Sequence, residues 1–99
     1  MFRELVIKRA LRSNKWPKVR ALHIERENAC VACGKKYWLQ VHHIKPVHLF
    51  PELELEDSNL LTLCRRHHFI IGHLEYWKSF NSNVVRDAKE WRERIKYRP

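Results

Sequence analysis

Hydrophobic and polar positions change period several times along the chain, and each change marks an element. Phe2, Leu5, Val6 and Ala10 recur at helical spacing, predicting a short amphipathic helix over residues 2–12. Ser13-Asn14 interrupts it, and Pro17 suits the first turn of a second helix carrying Val19, Leu22 and His23 on one face. His23 reads as a packed or surface histidine. From Lys36 to Val41 the period drops to two: Tyr37, Leu39 and Val41 alternate with Trp38 and Gln40. That is the first strand of a hairpin, ending in His42-His43.

Pro46 and Pro51 bracket a long loop over residues 44–58, which Leu49, Phe50, Leu53 and Leu55 are expected to pin to the core. Asn59-Leu60-Leu61-Thr62-Leu63 gives a second strand ending at Cys64, and Arg65 to Leu74 starts a helix. The aromatic link Tyr76-Trp77-Lys78-Ser79-Phe80 could cover the core or stack on a base, and core cover is the favoured expectation. Ser82 or Asn83 can then cap a last helix, mainly structural, whose apolar face is Val84, Ala88, Trp91 and Ile95.

Ninety-nine residues make one domain, spanning 1–99 with a core at about 28–75 and helical extensions on both sides. A domain this small buries only roughly 60–65% of its unfolded surface, so a staple is expected. Lys and Arg total 20 against 11 Asp and Glu, a formal charge of +9. Four of the acids cluster in Glu52-Leu53-Glu54-Leu55-Glu56-Asp57, read as a solvated rim, which leaves the remaining surface more basic still. Nucleic acid is the first partner such a balance suggests.

Three cysteines cannot pair completely within one chain, so metal-bound thiolates in a reducing compartment are favoured over a disulfide scaffold. The first residues break their apolar run with charges and no 18-residue apolar span occurs, so a cytoplasmic location is expected. Cys30-x2-Cys33 and Cys64-x2-His67 are two pairs at the spacing that closes a tetrahedral zinc site. Gly34, directly after Cys33, supplies the positive φ such a turn needs. His42 and His43 point to opposite faces of their strand, so they cannot share one job; a metal ligand and a base is the natural division.

Together these residues, in the run "HHI-P-H…P-LEL…NL-LC…H-GHL", resemble a small phage-type HNH endonuclease of the ββα-metal fold with a zinc knuckle pair. The likeness extends from about Trp16 to Val85. The resemblance implies an α+β fold in which the ββα unit is threaded through the zinc site. It implies that His42 and His68 hold one divalent cation, such as Mg²⁺ or Mn²⁺. His43 is then the general base for phosphodiester hydrolysis, and Asn59 orients the loop that aims it. Lys45, Arg65 and Arg66 are the expected phosphate contacts on DNA. One departure stands out: the family's last zinc cysteine is His67 here, giving Cys₃His, with His68 at the catalytic position. His73 could approach the catalytic cation or a phosphate, or pack at the helix end; His48 is similarly open. The resemblance also admits terminase proteins as partners in a bacterial host. A second reading is a non-catalytic zinc module that binds nucleic acid or serves phage packaging; it has no use for His43 or Asn59.

Overall fold

The first helix, α1 (Trp16–Arg26), begins where Pro17 sits in its first turn, with the Ser13 carbonyl accepting from the Trp16 amide at 3.1 Å. The computed structural model describes residues 13–96, so the helix expected over 2–12 lies outside the described residues. Of the three residues proposed for the inner face of α1, only His23 is fully buried, while Leu22 is exposed. Polar contacts therefore help to seat this helix. The His23 ring bridges Asp57 Oδ1 at 2.8 Å and Glu27 Oε1 at 3.1 Å, and Glu27 Oε1 accepts from the Thr62 amide at 2.6 Å. Arg26 adds a 2.5 Å contact to Asp57, and the Ser13 amide donates to Glu54 Oε2 at 3.0 Å. The acidic stretch is therefore more than a solvated rim, because two of its carboxylates tie the loop to the N-terminal side.

Strand β1 (Leu39–His43) pairs antiparallel with β2 (Leu60–Cys64), with Leu39 opposite Cys64 and His43 opposite Leu60. The strand starts three residues later than the alternation suggested, because Trp38 adopts φ 55, a left-handed bend that ends extended backbone. Period two then sends Gln40 and His42 to one face, beside Leu61 and Leu63, and Val41 and His43 to the other. All five residues of β2 are buried.

The intervening loop is not featureless: Pro51–Leu53 and Asp57–Asn59 form 3₁₀ turns. Phe50, Leu53 and Leu55 are half-buried as expected, but Leu49 is exposed. After β2 comes helix α2, an α-helical turn at Arg65–His67 continuing as a π-helical stretch at His68–Gly72. It stops short of Leu74 because Leu74 and Glu75 take φ values of 54 and 64. Helix α3 (Val84–Lys96) buries Val84 and Ala88 against Ile71, Leu61 and Leu63. Its entrance is shaped by Asn81 rather than by Ser82 or Asn83. Asn81 is buried; its Oδ1 accepts from the Asn83 amide at 2.9 Å, and its Nδ2 donates to Asp87 Oδ2 at 2.8 Å and the Ile71 carbonyl at 3.1 Å. Tyr76 and Trp77 are exposed, so the aromatic link does not close the core. The result is a small α+β unit with a two-stranded sheet. Among the described residues, no helix is long and apolar enough to cross a membrane.

Candidate metal centres

Cys30 and Cys33 lie on the tight turn before β1, Cys64 ends β2, and His67 follows in the first turn of α2. The turn closes through the Gly34 amide on the Cys30 carbonyl at 2.8 Å, and Gly34 has φ 82, the conformation expected of it. Cys33 Sγ is 3.9 Å from Cys64 Sγ; His67 Nδ1 is 3.2 Å from Cys64 Sγ and 3.9 Å from Cys30 Sγ. Tetrahedral zinc with its usual bond lengths holds sulfurs about 3.8 Å apart, and sulfur and nitrogen about 3.5 Å apart. All three cysteines are unbridged, and the four donors fit a Cys₃His zinc site. Burial pushes the Cys33 thiol up to about 11, a cost that a bound cation removes. For Cys64, burial also acts upward but is outweighed by the His67 and Arg66 backbone and the neighbouring thiols, which favour the thiolate. Burial, with Arg66 and Lys35 nearby, lowers the His67 pKa and keeps the imidazole neutral and able to donate.

A second group lies on the other side of α2. His42, His68 and His73 bring ligand atoms within 4.8 Å of one another. His68 Nδ1 donates to Gln40 Oε1 at 2.6 Å, and His73 Nδ1 donates to the Ser79 carbonyl at 2.8 Å. Each neutral ring then carries its lone pair on Nε2, and those two nitrogens face each other at 3.2 Å. Two lone pairs at that distance repel unless a cation lies between them. His42 Nε2 is buried with no hydrogen-bond partner. Burial, then His68, His73 and His43, lowers His42 to about 3; burial, His73 and His43 lower His68 to about 4. At neutral pH His42 and His68 are therefore unprotonated imidazoles, and with His73 beside them the group has the donor chemistry of a divalent cation site.

Here the adjacent histidines separate as register from Cys64 predicts: His67 lies with the cysteines and His68 with His42. His73 joins the second group rather than packing passively, because the π-helical stretch carries it back over His68. The other expected site residues fall nearby. His43, 8% exposed, donates from Nε2 to the Glu54 carbonyl at 2.9 Å, and Trp16 packs on its ring at 4.6 Å. Asn59 Oδ1 accepts from the Lys45 amide at 2.8 Å; its Nδ2 donates to the carbonyls of Lys45 and Leu53 at 3.1 and 3.2 Å. Lys45, Arg65 and Arg66 are exposed, as is His48, which joins neither donor group.

Several supporting residues escaped the sequence reading. Gln40 orients His68, and its place two residues before His42, on the same strand face, was a usable signal. Trp77 leans on His68, Phe69 and His73, with ring centroids 5.4, 4.9 and 4.9 Å away. Arg92 Nη1 donates to the Cys33 carbonyl at 2.9 Å and Trp91 meets the His67 ring edge at 5.4 Å; no local pattern announces either contact.

No curated protein and no solved structure matches the chain. The family model of the HNH endonucleases matches residues 30–76, the segment running from Cys30, through both strands and α2, to just past His73. A ββα unit threaded between two halves of a Cys₃His cluster, and a family match over that same segment, identify this chain as carrying a domain of the HNH endonuclease family.

Proposed function

We propose that the chain is a metal-dependent DNA endonuclease, a single domain with its working core at about 28–75. The observation that supports this most is the gathering of His42, His68 and His73, with His42 Nε2 buried and unpartnered, close to His43. Burial keeps His42 and His68 unprotonated, His73 Nε2 faces His68 Nε2 at 3.2 Å, and His43 lies near enough for its charge to depress His42 and His68. A divalent cation held by these three histidines would supply Lewis-acid stabilisation of charge on phosphate oxygens; imidazole nitrogens suit Mn²⁺ better than Mg²⁺, which favours oxygen donors.

The chain's own groups do the rest. The Glu54 carbonyl fixes the His43 proton on Nε2, so Nδ1 carries the lone pair that accepts a proton from water. The water oxygen forms a bond to phosphorus, the P–O bond to the sugar breaks, and the leaving oxygen takes a proton from solvent water. Asn59 is a positioning residue. It clamps the backbone of Lys45, just past the histidine pair, to Leu53, next to the carbonyl that holds His43. Lys45, Arg65 and Arg66 neutralise neighbouring phosphates, and Cys30, Cys33, Cys64 and His67 hold structural zinc that joins the strands to α2. A purely structural zinc module would need neither the second histidine group nor an oriented His43. The test is nicking of supercoiled plasmid by zinc-replete protein. Conversion to open circles on addition of Mg²⁺ or Mn²⁺, abolished by withholding the cation, is expected; intact plasmid under every cation condition refutes the reading.

A further inference from the structure

Tyr37 and Trp38 stand at the entrance to β1, 58% and 67% exposed. Neighbouring tryptophan and tyrosine side chains ordinarily bury much of their area. Trp38 also holds φ 55, a region that side chains avoid because Cβ crowds the following carbonyl. Glycine or asparagine would take this bend with less strain. The bend is locked by the Arg65 amide donating to the Trp38 carbonyl at 3.0 Å. The Arg65 guanidinium lies over the Trp38 ring, 4.8 Å from its centroid. The Tyr37 and Trp38 rings meet edge-to-face at 5.8 Å, and Lys35 Nζ sits 5.6 Å from the Tyr37 ring centroid. Cations and aromatic rings thus alternate in the order Lys35, Tyr37, Trp38, Arg65. A strained, uncovered aromatic pair beside a catalytic strand calls for an occupant.

The occupant can be read from chemistry. Lysine is depleted at the centres of protein interfaces, whereas here Lys35 as well as Arg65 lies against a ring. Rings flanked by cations are what an unstacked base and its phosphates require: the base lies on the π-face and the charges meet the backbone. An intact duplex keeps its bases stacked on one another and offers no free π-face. We infer that Tyr37 and Trp38 form a stacking platform for an unpaired base, which makes gapped, bulged or frayed DNA the preferred substrate. The inference rests on the endonuclease reading above and names its substrate class. Trp38 precedes His42 by four positions, about 13 Å at strand spacing. That distance corresponds to about four nucleotides along one strand, so the unpaired base should lie about that far from the cut.

The experiment measures affinity of the full zinc-loaded chain for a labelled duplex and for the same duplex with a single-nucleotide bulge, without added Mg²⁺ or Mn²⁺. Wild type should prefer the bulged DNA by about 5- to 100-fold, the worth of one stacked base. Trp38→Gly and Trp38→Asn both accept the left-handed bend, so they should keep zinc and a thermal midpoint at or above wild type while that preference falls toward one. Four outcomes overturn the inference: no preference in wild type, full preference in both variants, an equal loss of affinity for both DNAs, or loss of zinc and cooperative unfolding in both variants. Cleavage is then read separately with Mn²⁺. If wild type prefers bulged DNA but never cuts it, the endonuclease reading fails and the platform stands. If it cuts DNA with indifference to the bulge, the platform fails and the endonuclease reading stands.

Discussion

A single methyl group should separate the two metal sites experimentally. Gly72 closes the π-helical stretch of α2, and a Cβ there would lie 3.0 Å from His42 Nδ1, 3.1 Å from His42 Cε1 and 3.2 Å from His68 Cδ2. Carbon contacts settle near 3.5–4.0 Å, so Gly72→Ala drives the two rings outward by roughly 0.3–0.5 Å or more. His42 is 3% exposed and walled by packed side chains, so it cannot simply swing away. Overpacking of this kind costs roughly 1–3 kcal/mol. Because it acts on ligand positions, that cost should appear as a 10- to 100-fold weaker hold on the second cation, the range seen when ligand orientation is disturbed. Fold stability should change less, because alanine in place of a helical glycine returns roughly 0.5–1 kcal/mol. Titrating plasmid nicking with Mn²⁺ reads the effect: the midpoint should move upward while bound zinc stays at one per chain. An unchanged midpoint would mean that His42 and His68 do not ligate the same ion.

Further outcomes follow from the same geometry. Cys33→Ala should lose zinc and the sharp thermal transition together, since a structural zinc is worth roughly 10–16 kcal/mol against a net stability of roughly 5–15; a cooperative transition in zinc-free protein contradicts this. His67→Cys should keep zinc and most activity, whereas His68→Ala should keep zinc and fold but lose cation-dependent cleavage; the reverse pattern would exchange their roles. Acid should destabilise the protein before the second cation is added. His42 and His68 have pKa values lowered to about 3 and about 4, so below about 6.5 the unfolded chain takes up protons that the folded chain refuses. Stability therefore falls with pH across that window, by up to about 2.7 kcal/mol per pH unit for two protons, and flat urea midpoints from pH 6.5 to 4.5 would contradict the burial argument.

What could be read from sequence was whatever depends on spacing along one element. The zinc set rests on two short pairs, and the opposite orientation of His42 and His43 rests on strand alternation, so both were legible. The hairpin was legible too, but its start was not: Trp38 keeps the alternation while its backbone leaves the strand. His73 was ambiguous because five residues from His68 is off-register for an α-helix, and only the π-helical stretch brings the two rings together. Gln40, Ser79 and the Glu54 carbonyl hold His68, His73 and His43 from 28, 6 and 11 residues away, two of them through backbone atoms that carry no sequence signature. Arg92 grips the knuckle from 59 residues away, a distance no local pattern spans.

In the proposed mechanism His43 removes a proton from water beside a cation held by His42, His68 and His73. The most direct measurement is the single-turnover rate of plasmid cleavage at saturating Mn²⁺ by wild type and His43→Ala, with zinc content and DNA affinity checked in both. The account predicts equal zinc, closely similar affinity and a rate lower by about 10²–10⁴ in the variant. Equal rates would remove His43 from the mechanism and the proposed chemistry with it.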